Sequence, residues 1–170
     1  SFDPARLRAL IAENGYCVLG RVEGTRLSPA PETDFRALTT LADVVLCEAD
    51  GAHRRACKAP AAYEPVVPAE ASLVVGVMGV LALGLPIEAG CHRPQIVCEV
   101  LGVPASAPLL PRHAVTLLTS PLGQRKSVLP GMRYAALINQ ADTKERLAQA
   151  LAIAHGCEQL GVRALVTAFR

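Results

Sequence analysis

The sequence predicts one α/β domain over residues 1–170, built on a parallel, doubly wound β-sheet. The chain has 170 residues, of which 51% are apolar, enough for one hydrophobic core but too few for two comfortable domains. Helical and strand-like patterns alternate along most of the chain, which is typical of right-handed βαβ crossovers. The strand-like segments are apolar runs without polar alternation, as expected where both faces of a parallel sheet are covered.

The first predicted element is a helix at the N-terminus. Asp3 has the residue type of an N-cap, Pro4 suits the first helical position, and Gly15 ends the pattern of apolar residues at helical spacing. A strand is predicted over residues 16–22, and a helix from about Thr33. A buried strand is predicted over residues 44–47.

A segment with little periodicity follows, in which residues 49–70 form a motif-bearing loop. The remaining predicted elements are a strand over 73–77, helices over 93–101 and 111–119, a strand over 134–138, a helix from Thr143 and a strand over 163–169. Residues 84–133 form a helical and loop insertion in this scheme.

The composition excludes several classes of protein. Seventeen Lys and Arg residues against fifteen Asp and Glu leave a net charge of +2, and the chain has no Trp, so nucleic acid is not an expected partner. The longest uncharged run, residues 71–87, is shorter than the roughly 20 residues that cross a bilayer. Residues 1–6 contain no apolar h-region, so we expect no secretory signal. Six scattered cysteines without a CxxC motif are typical of thiols in a reducing cytoplasm, where we expect the protein.

Two carboxylates follow the predicted strand over 44–47. Ligands bind beyond the carboxyl ends of the strands in an open parallel sheet, so Glu48 and Asp50 are predicted catalytic residues. Carboxylates in that place can hold Mg²⁺ through water or orient an attacking water. The alternative is an acidic turn with no chemical role.

A second polar pair follows the strand over 134–138. Asn139 and Asp142 resemble the NKxD motif with which GTPase-type proteins bind the nucleotide base, although Gln140 replaces the usual Lys. We therefore predict that Asn139 and Asp142 bind a base. The alternative is that Asp142 or Thr143 caps the helix that follows.

A group of cationic side chains lies between these pairs. Guanidinium forks and ammonium groups suit phosphate or carboxylate oxygens, so the group is predicted to bind an anion or a partner. Its members are His53, Arg54, Arg55, Lys58, His92 and Arg93. The alternatives are ion pairs between the loop and its carboxylates, and a capping or surface role for His92. Cys57, Cys91 and Cys98 have no metal-binding spacing and are interpreted as buried or incidental thiols.

The motif that runs over residues 48–68, EADGAHRR followed by KAPAAYEPVVP, is similar to the YqeC family. The similarity extends through the predicted strand over residues 74–80, residues 83–86, residues 92–94 and the Asn139 to Asp142 motif. Membership implies a P-loop NTPase-like fold and an accessory role for selenium-dependent molybdenum hydroxylases. Such proteins begin with a strand and a glycine-rich phosphate-binding loop, whereas this chain has no Walker A motif and starts with the helix that would follow. We expect either that the N-terminal portion is missing from this sequence or that this member has lost it.

The resemblance assigns Glu48 and Asp50 to Mg²⁺ and water, and Asn139 and Asp142 to the base of ATP or GTP. The leading hypothesis is a maturation factor in which NTP binding or hydrolysis drives insertion or modification of a molybdenum cofactor. The alternative is a non-enzymatic carrier whose basic loop binds an anionic molybdopterin-type cofactor or the client enzyme, and a third hypothesis is an inert remnant of a P-loop fold. The choice between ATP and GTP, the client and the oligomeric state stay open.

Overall fold

The computed structural model describes residues 2–28 and 33–169, which form a mixed α/β structure. The residues group into two compact units, 1–47 and 48–170, and each unit is described by itself. The single domain over residues 1–170 stays a prediction. None of the helices in the described ranges is long and apolar enough to cross a membrane.

The first unit contains two helices and a hairpin. Its elements are α1 (Pro4–Asn14), β1 (Arg21–Glu23), β2 (Arg26–Ser28) and α2 (Phe35–Leu41). Helix α1 begins as predicted, because Asp3 Oδ1 accepts hydrogen bonds from the Ala5 and Arg6 amides, both at 3.1 Å. It ends at Gly15, whose φ of +78° suits the left-handed C-cap position. Strands β1 and β2 pair antiparallel.

Of the two strands predicted in this unit, one is right only at its end and the other is wrong. Residues 16–20 have no regular structure, so only the end of the predicted 16–22 strand is extended, as β1. Residues 44–47 form no strand, and the Val44 and Leu46 side chains are 71% and 92% exposed. A buried strand needs hydrogen-bonded neighbours on its edges, and residues 44–47 belong to none of the sheets among the described residues. Glu48 and Asp50 therefore do not follow a buried strand.

The second unit contains the parallel sheet. Its elements are β3 (Cys57–Lys58), β4 (Leu73–Gly79), a 3₁₀ turn (Val80–Ala82), α3 (Ile87–Gly90), β5 (Cys91–His92), α4 (Pro94–Leu101), α5 (Pro111–Thr119), β6 (Arg133–Asn139), α6 (Lys144–Gln159) and β7 (Arg163–Val166). The strand order is β4-β6-β7, with both pairs parallel, and β3 pairs with β5 as a separate parallel ladder. The predicted parallel α/β class is confirmed.

Helices α5 and α6 pack on one face of this sheet. Met78, Ala136 and Ile138 of the strands form one core with the buried side chains of both helices. The opposite face carries Val75 and Val77, which are 43% and 49% exposed. The covering of both faces expected for a doubly wound sheet is therefore not seen in this unit, and the P-loop NTPase-like assignment stays an expectation.

The carboxyl end of the sheet meets the loop that leads into β3. The Gly79 amide donates to the Ala56 carbonyl at 2.7 Å, and Gly79 is the register partner of Asn139. A Cβ on Gly79 would lie 1.9 Å from Gln140 Oε1 and 3.1 Å from Ala56 Cβ, so a larger residue here would require the Gln140 side chain to move. The loop and the end of β6 are thus held at the same end of the sheet.

Candidate anion-binding site

Lys58 is a buried lysine whose ammonium group is surrounded by protein oxygens. Its side chain is 4% exposed, and its Nζ lies 2.9 Å from Asp50 Oδ2 and 2.8 Å from Glu64 Oε2. Nζ also donates to the Gly51 carbonyl at 2.9 Å. These contacts use the three donors of the ammonium group, so Lys58 stabilises the loop through ion pairs, as the alternative interpretation of the sequence held.

Glu64 joins this lysine to Arg93. The Arg93 Nη1 donates to Glu64 Oε2, and Arg93 Nη2 donates to the Tyr63 hydroxyl at 3.0 Å. The Arg93 guanidinium, followed by Lys58, lowers the pKa of Glu64 from 4.5 to about 2. The same contact with Glu64 raises the pKa of Arg93. The carboxylate is therefore ionised over the physiological pH range and fixes the direction of the guanidinium.

Most of the predicted cationic residues line one open cleft of about 440 Å³, which we call the cationic cleft. Its lining residues are His53, Arg55, Glu88, Cys91, His92, Arg93 and Pro94. Arg55 is held in place because its Nη1 donates to the Ala89 carbonyl, and the His53 and His92 rings lie 4.9 Å apart between centroids. Burial, followed by the charge of Arg93, lowers the pKa of His92. The cleft thus combines two fixed guanidinium groups with an imidazole that favours its neutral form.

The backbone at this cleft is in an unfavourable conformation. His53, Arg54 and Arg93 have φ values of 49°, 60° and 53°, in the left-handed region. They are three of the five described non-glycine residues with positive φ, so such residues concentrate at this place. Residues in this region cost about 1 kcal/mol or more each, and they cluster at functional sites.

The predicted metal-binding carboxylates are not among the residues that line the cleft. Glu48 is exposed, and Asp50 forms the ion pair with Lys58. In the part of the chain that the structure describes, no group of three or more His, Cys, Asp or Glu side chains could hold a metal ion. Glu48 and Asp50 would therefore need phosphate oxygens and water to complete a Mg²⁺ site, which stays a prediction.

The predicted base-binding pair is held by other partners. Asn139 Oδ1 accepts from the Gln140 amide at 2.7 Å and from Thr167 Oγ1 at 3.1 Å. Asp142 Oδ1 accepts from the Phe169 amide at 2.9 Å. The α6 cap is Thr143, whose Oγ1 accepts from the Arg146 amide at 3.2 Å, so capping does not account for Asp142. Base binding by this pair stays a prediction.

Some residues of the site could not be found from the sequence. Gln124 Nε2 donates to the Lys58 carbonyl at 2.9 Å, and Lys126 Nζ donates to the Ala62 carbonyl at 2.9 Å. Both partners are more than 60 positions away in the chain, and no local pattern marks such a contact. Tyr63 and Glu64 lie inside the motif-bearing loop, but only the structure shows that they hold Arg93.

Comparison with known proteins places the chain in a family. The model of the family described as "YqeC protein" matches residues 3–95, just over half of the chain. An "Uncharacterized protein YqeC" of Escherichia coli (strain K12) is 34% identical over 99 residues, which cover 58% of this chain but only 39% of that relative. No solved structure matches the chain significantly. As its motifs predict, this chain is a member of the YqeC family.

Proposed function

We propose that this chain is a nucleotide-binding accessory protein that acts in the maturation of a selenium-dependent molybdenum hydroxylase. The nucleotide's phosphates bind in the cationic cleft and its base binds at Asn139 and Asp142. One observation carries this proposal: the Ala56 carbonyl, in the loop between His53 and Lys58, bonds to the Gly79 amide opposite Asn139. This contact puts the cationic loop and the polar end of β6 at the carboxyl end of one parallel sheet, where ligands of such sheets bind.

The cleft suits phosphate for reasons of charge and preorganisation. Arg55 and Arg93 each use part of their five-donor guanidinium on a protein acceptor and keep further donors for an anion. Because those protein contacts already fix the guanidinium groups, binding a phosphate orders fewer side chains. Charge-assisted hydrogen bonds of this kind contribute about 1.5–3 kcal/mol each.

The sequence contains no Walker A motif. Mg²⁺ would neutralise phosphate charge, with Glu48 and Asp50 as its ligands through water, and no step of the proposal depends on it. Phosphoryl transfer relies on positioning and charge neutralisation, which the missing Walker A backbone normally provides. We therefore expect this chain alone to bind nucleotide weakly and to hydrolyse little of it.

A second candidate is a carrier that holds an anionic molybdopterin-type cofactor or an acidic surface of the client enzyme. The lining of the cationic cleft favours it, because it contains Arg55, Arg93 and two imidazoles but neither Asn139 nor Asp142. The carrier needs the cationic cleft but no base-binding pair. The two candidates therefore differ in their requirement for Asp142.

Calorimetric titration of the full-length protein with ATP and GTP, each with Mg²⁺, tests the proposal. Arg55→Gln removes a cleft donor and Asp142→Ala removes the base-binding carboxylate, while Arg112→Gln, on an exposed position of α5, is the matched control. We expect each of the first two substitutions to weaken binding about tenfold and the control to leave it unchanged. If Arg55→Gln weakens triphosphate binding and Asp142→Ala does not, the result supports the carrier. If no triphosphate binding is detected, the result contradicts the proposal of nucleotide binding.

A further inference from the structure

Two cysteines occupy opposed positions beside the cationic cleft. Cys57 of β3 and Cys91 of β5 are register partners in the parallel ladder, so their side chains leave the same face of the ladder. Neighbouring strands lie about 4.8 Å apart, and the Cα atoms of disulfide-bonded cysteines are usually about 4.4–6.8 Å apart. Both side chains are free thiols, each 3% exposed.

The two thiols are not equivalent. Cys91 lines the cationic cleft together with His53 and Arg55, whereas Cys57 is not among the lining residues. A hydrogen bond from the Cys57 side chain, followed by the charge of Arg55, lowers the pKa of Cys91. The pKa of Cys57 is raised well above its usual value by the same hydrogen bond and by burial. The thiolate is therefore favoured on Cys91, the cysteine that lines the cleft, over Cys57.

We propose that Cys57 and Cys91 form a redox-active dithiol that reduces small anionic disulfides bound in the cationic cleft. The proposal rests on the anion binding assigned to the cleft above and adds a reaction to it. The cleft attracts the anionic substrate through Arg55 and Arg93, and Cys91 at its wall is the sulfur that a bound disulfide meets.

The reaction proceeds in two exchange steps. The Cys91 thiolate attacks one sulfur of the substrate RS–SR, which forms a mixed disulfide and releases RS⁻, and this thiolate takes the proton of Cys57. The Cys57 thiolate then attacks the Cys91 sulfur, which breaks the mixed disulfide and releases the second RS⁻, protonated from water. One substrate disulfide is reduced to two thiols, and the protein's dithiol is oxidised to one disulfide.

The test uses the reduced full-length protein under anaerobic conditions, with oxidised glutathione as the anionic probe and bis(2-hydroxyethyl) disulfide as the neutral one. Peptide mapping by mass spectrometry of the wild-type protein is expected to show a Cys57–Cys91 disulfide after reaction with oxidised glutathione. Cys57→Ser is expected to stop the reaction at a glutathione adduct on Cys91, and Cys98→Ser, the matched control, is expected to react like the wild type. Arg55→Gln is expected to slow the reaction with oxidised glutathione about tenfold and the reaction with the neutral probe clearly less, because the substitution removes the attraction for the anion and also the charge that lowers the pKa of Cys91.

Adducts on Cys17 or Cys47 without a Cys57–Cys91 disulfide would overturn the proposal, and this result needs no variant that might misfold. Equal rates with the two probes would overturn the anionic substrate class. Binding of pyrophosphate, measured by calorimetry on the same preparations, separates the two proposals. If pyrophosphate binds but the dithiol does not react, this inference fails alone; if pyrophosphate does not bind, the anion site itself fails.

Discussion

At the scale of single residues, Glu64 is the group on which the site's geometry depends. Its carboxylate accepts from Lys58, at 2.8 Å, and from the Arg93 guanidinium, so one acidic side chain serves two cations. A buried lysine without such partners would lose its charge or destabilise the fold. Glu64 therefore stabilises Lys58 and also fixes the arginine of the cationic cleft.

The first prediction concerns acid sensitivity. The pKa of Glu64 falls from 4.5 to about 2 on folding, so its ionisation stabilises the fold fully above about pH 4.5 and loses that effect between about pH 4.5 and pH 2. Glu64→Gln should lower the free energy of unfolding at neutral pH by about 2 kcal/mol, a value reduced for solvent screening. Urea unfolding across this pH range should show the difference from wild type shrinking with acidity. A difference that is independent of pH, or equal to that of the control Glu99→Gln, would contradict the assigned role.

The second prediction concerns the contact at the end of the sheet. Gly79→Ala would place a Cβ 1.9 Å from Gln140 Oε1, at the end of a flexible side chain that can turn away, and should lower the free energy of unfolding by only about 1 kcal/mol. The loss should be smaller in a Gln140→Ala background, because the blocking atom is then gone. Gly51→Ala is the matched control, since its nearest neighbour would be 3.8 Å away. Equal losses in both backgrounds, measured by chemical denaturation, would show that Gln140 does not close this contact.

The sequence predicts which types of side chain line the site better than it predicts the hydrogen-bond and ion-pair partners of those side chains. His53, Arg55, His92 and Arg93 are cationic or hydrogen-bonding residues within motifs, and the structure does bring them to one cleft. Their partners are set by the fold: Gln124 reaches the Lys58 carbonyl across 66 positions of the chain. Local patterns carry no information on such contacts, because loop closure and packing determine them.

At the scale of elements, helices were predicted well because their ends are encoded locally. Asp3 and Gly15 bound α1, and Pro111–Thr119 is helical over its whole predicted length. The predicted strand over 44–47 failed for a different reason. An apolar run shows that a segment tends to be buried, but a strand forms only where another strand accepts its hydrogen bonds. Residues 44–47 belong to none of the sheets in the part of the chain that the structure describes.

The third prediction tests the start of α6. Thr143 Oγ1 accepts from the Arg146 amide at 3.2 Å, so Thr143→Ala should lower the free energy of unfolding by about 1 kcal/mol. Thr143→Ser keeps the hydroxyl oxygen and should recover most of the loss. Thermal or urea unfolding of the three proteins measures the effect. If the serine variant is as unstable as the alanine variant, the hydroxyl does not cap the helix.

At the scale of the whole molecule, the account depends on one end of the parallel sheet in the second unit. The parallel class was predictable from the apolar strands and the intervening helices. The exposed sheet face that carries Val75 and Val77 could not be predicted, because an apolar run over residues 73–77 does not show which of its faces a helix covers. The Lys58 ammonium group holds Asp50, and the Thr167 hydroxyl donates to Asn139. The hydrogen bond from the Gly79 amide to the Ala56 carbonyl links the cationic loop to the carboxyl end of the sheet.

The most direct test of the account is NMR mapping of the ¹⁵N-labelled full-length protein during titration with ATP and Mg²⁺. If the cleft and the end of β6 bind one nucleotide, amide shifts of His53, Arg55 and Arg93 should move together with those of Asn139 and Asp142, along one saturation curve. Shifts confined to other parts of the protein would contradict a shared binding site. Saturation of the cleft amides and of the Asn139 and Asp142 amides at different nucleotide concentrations would contradict it as well.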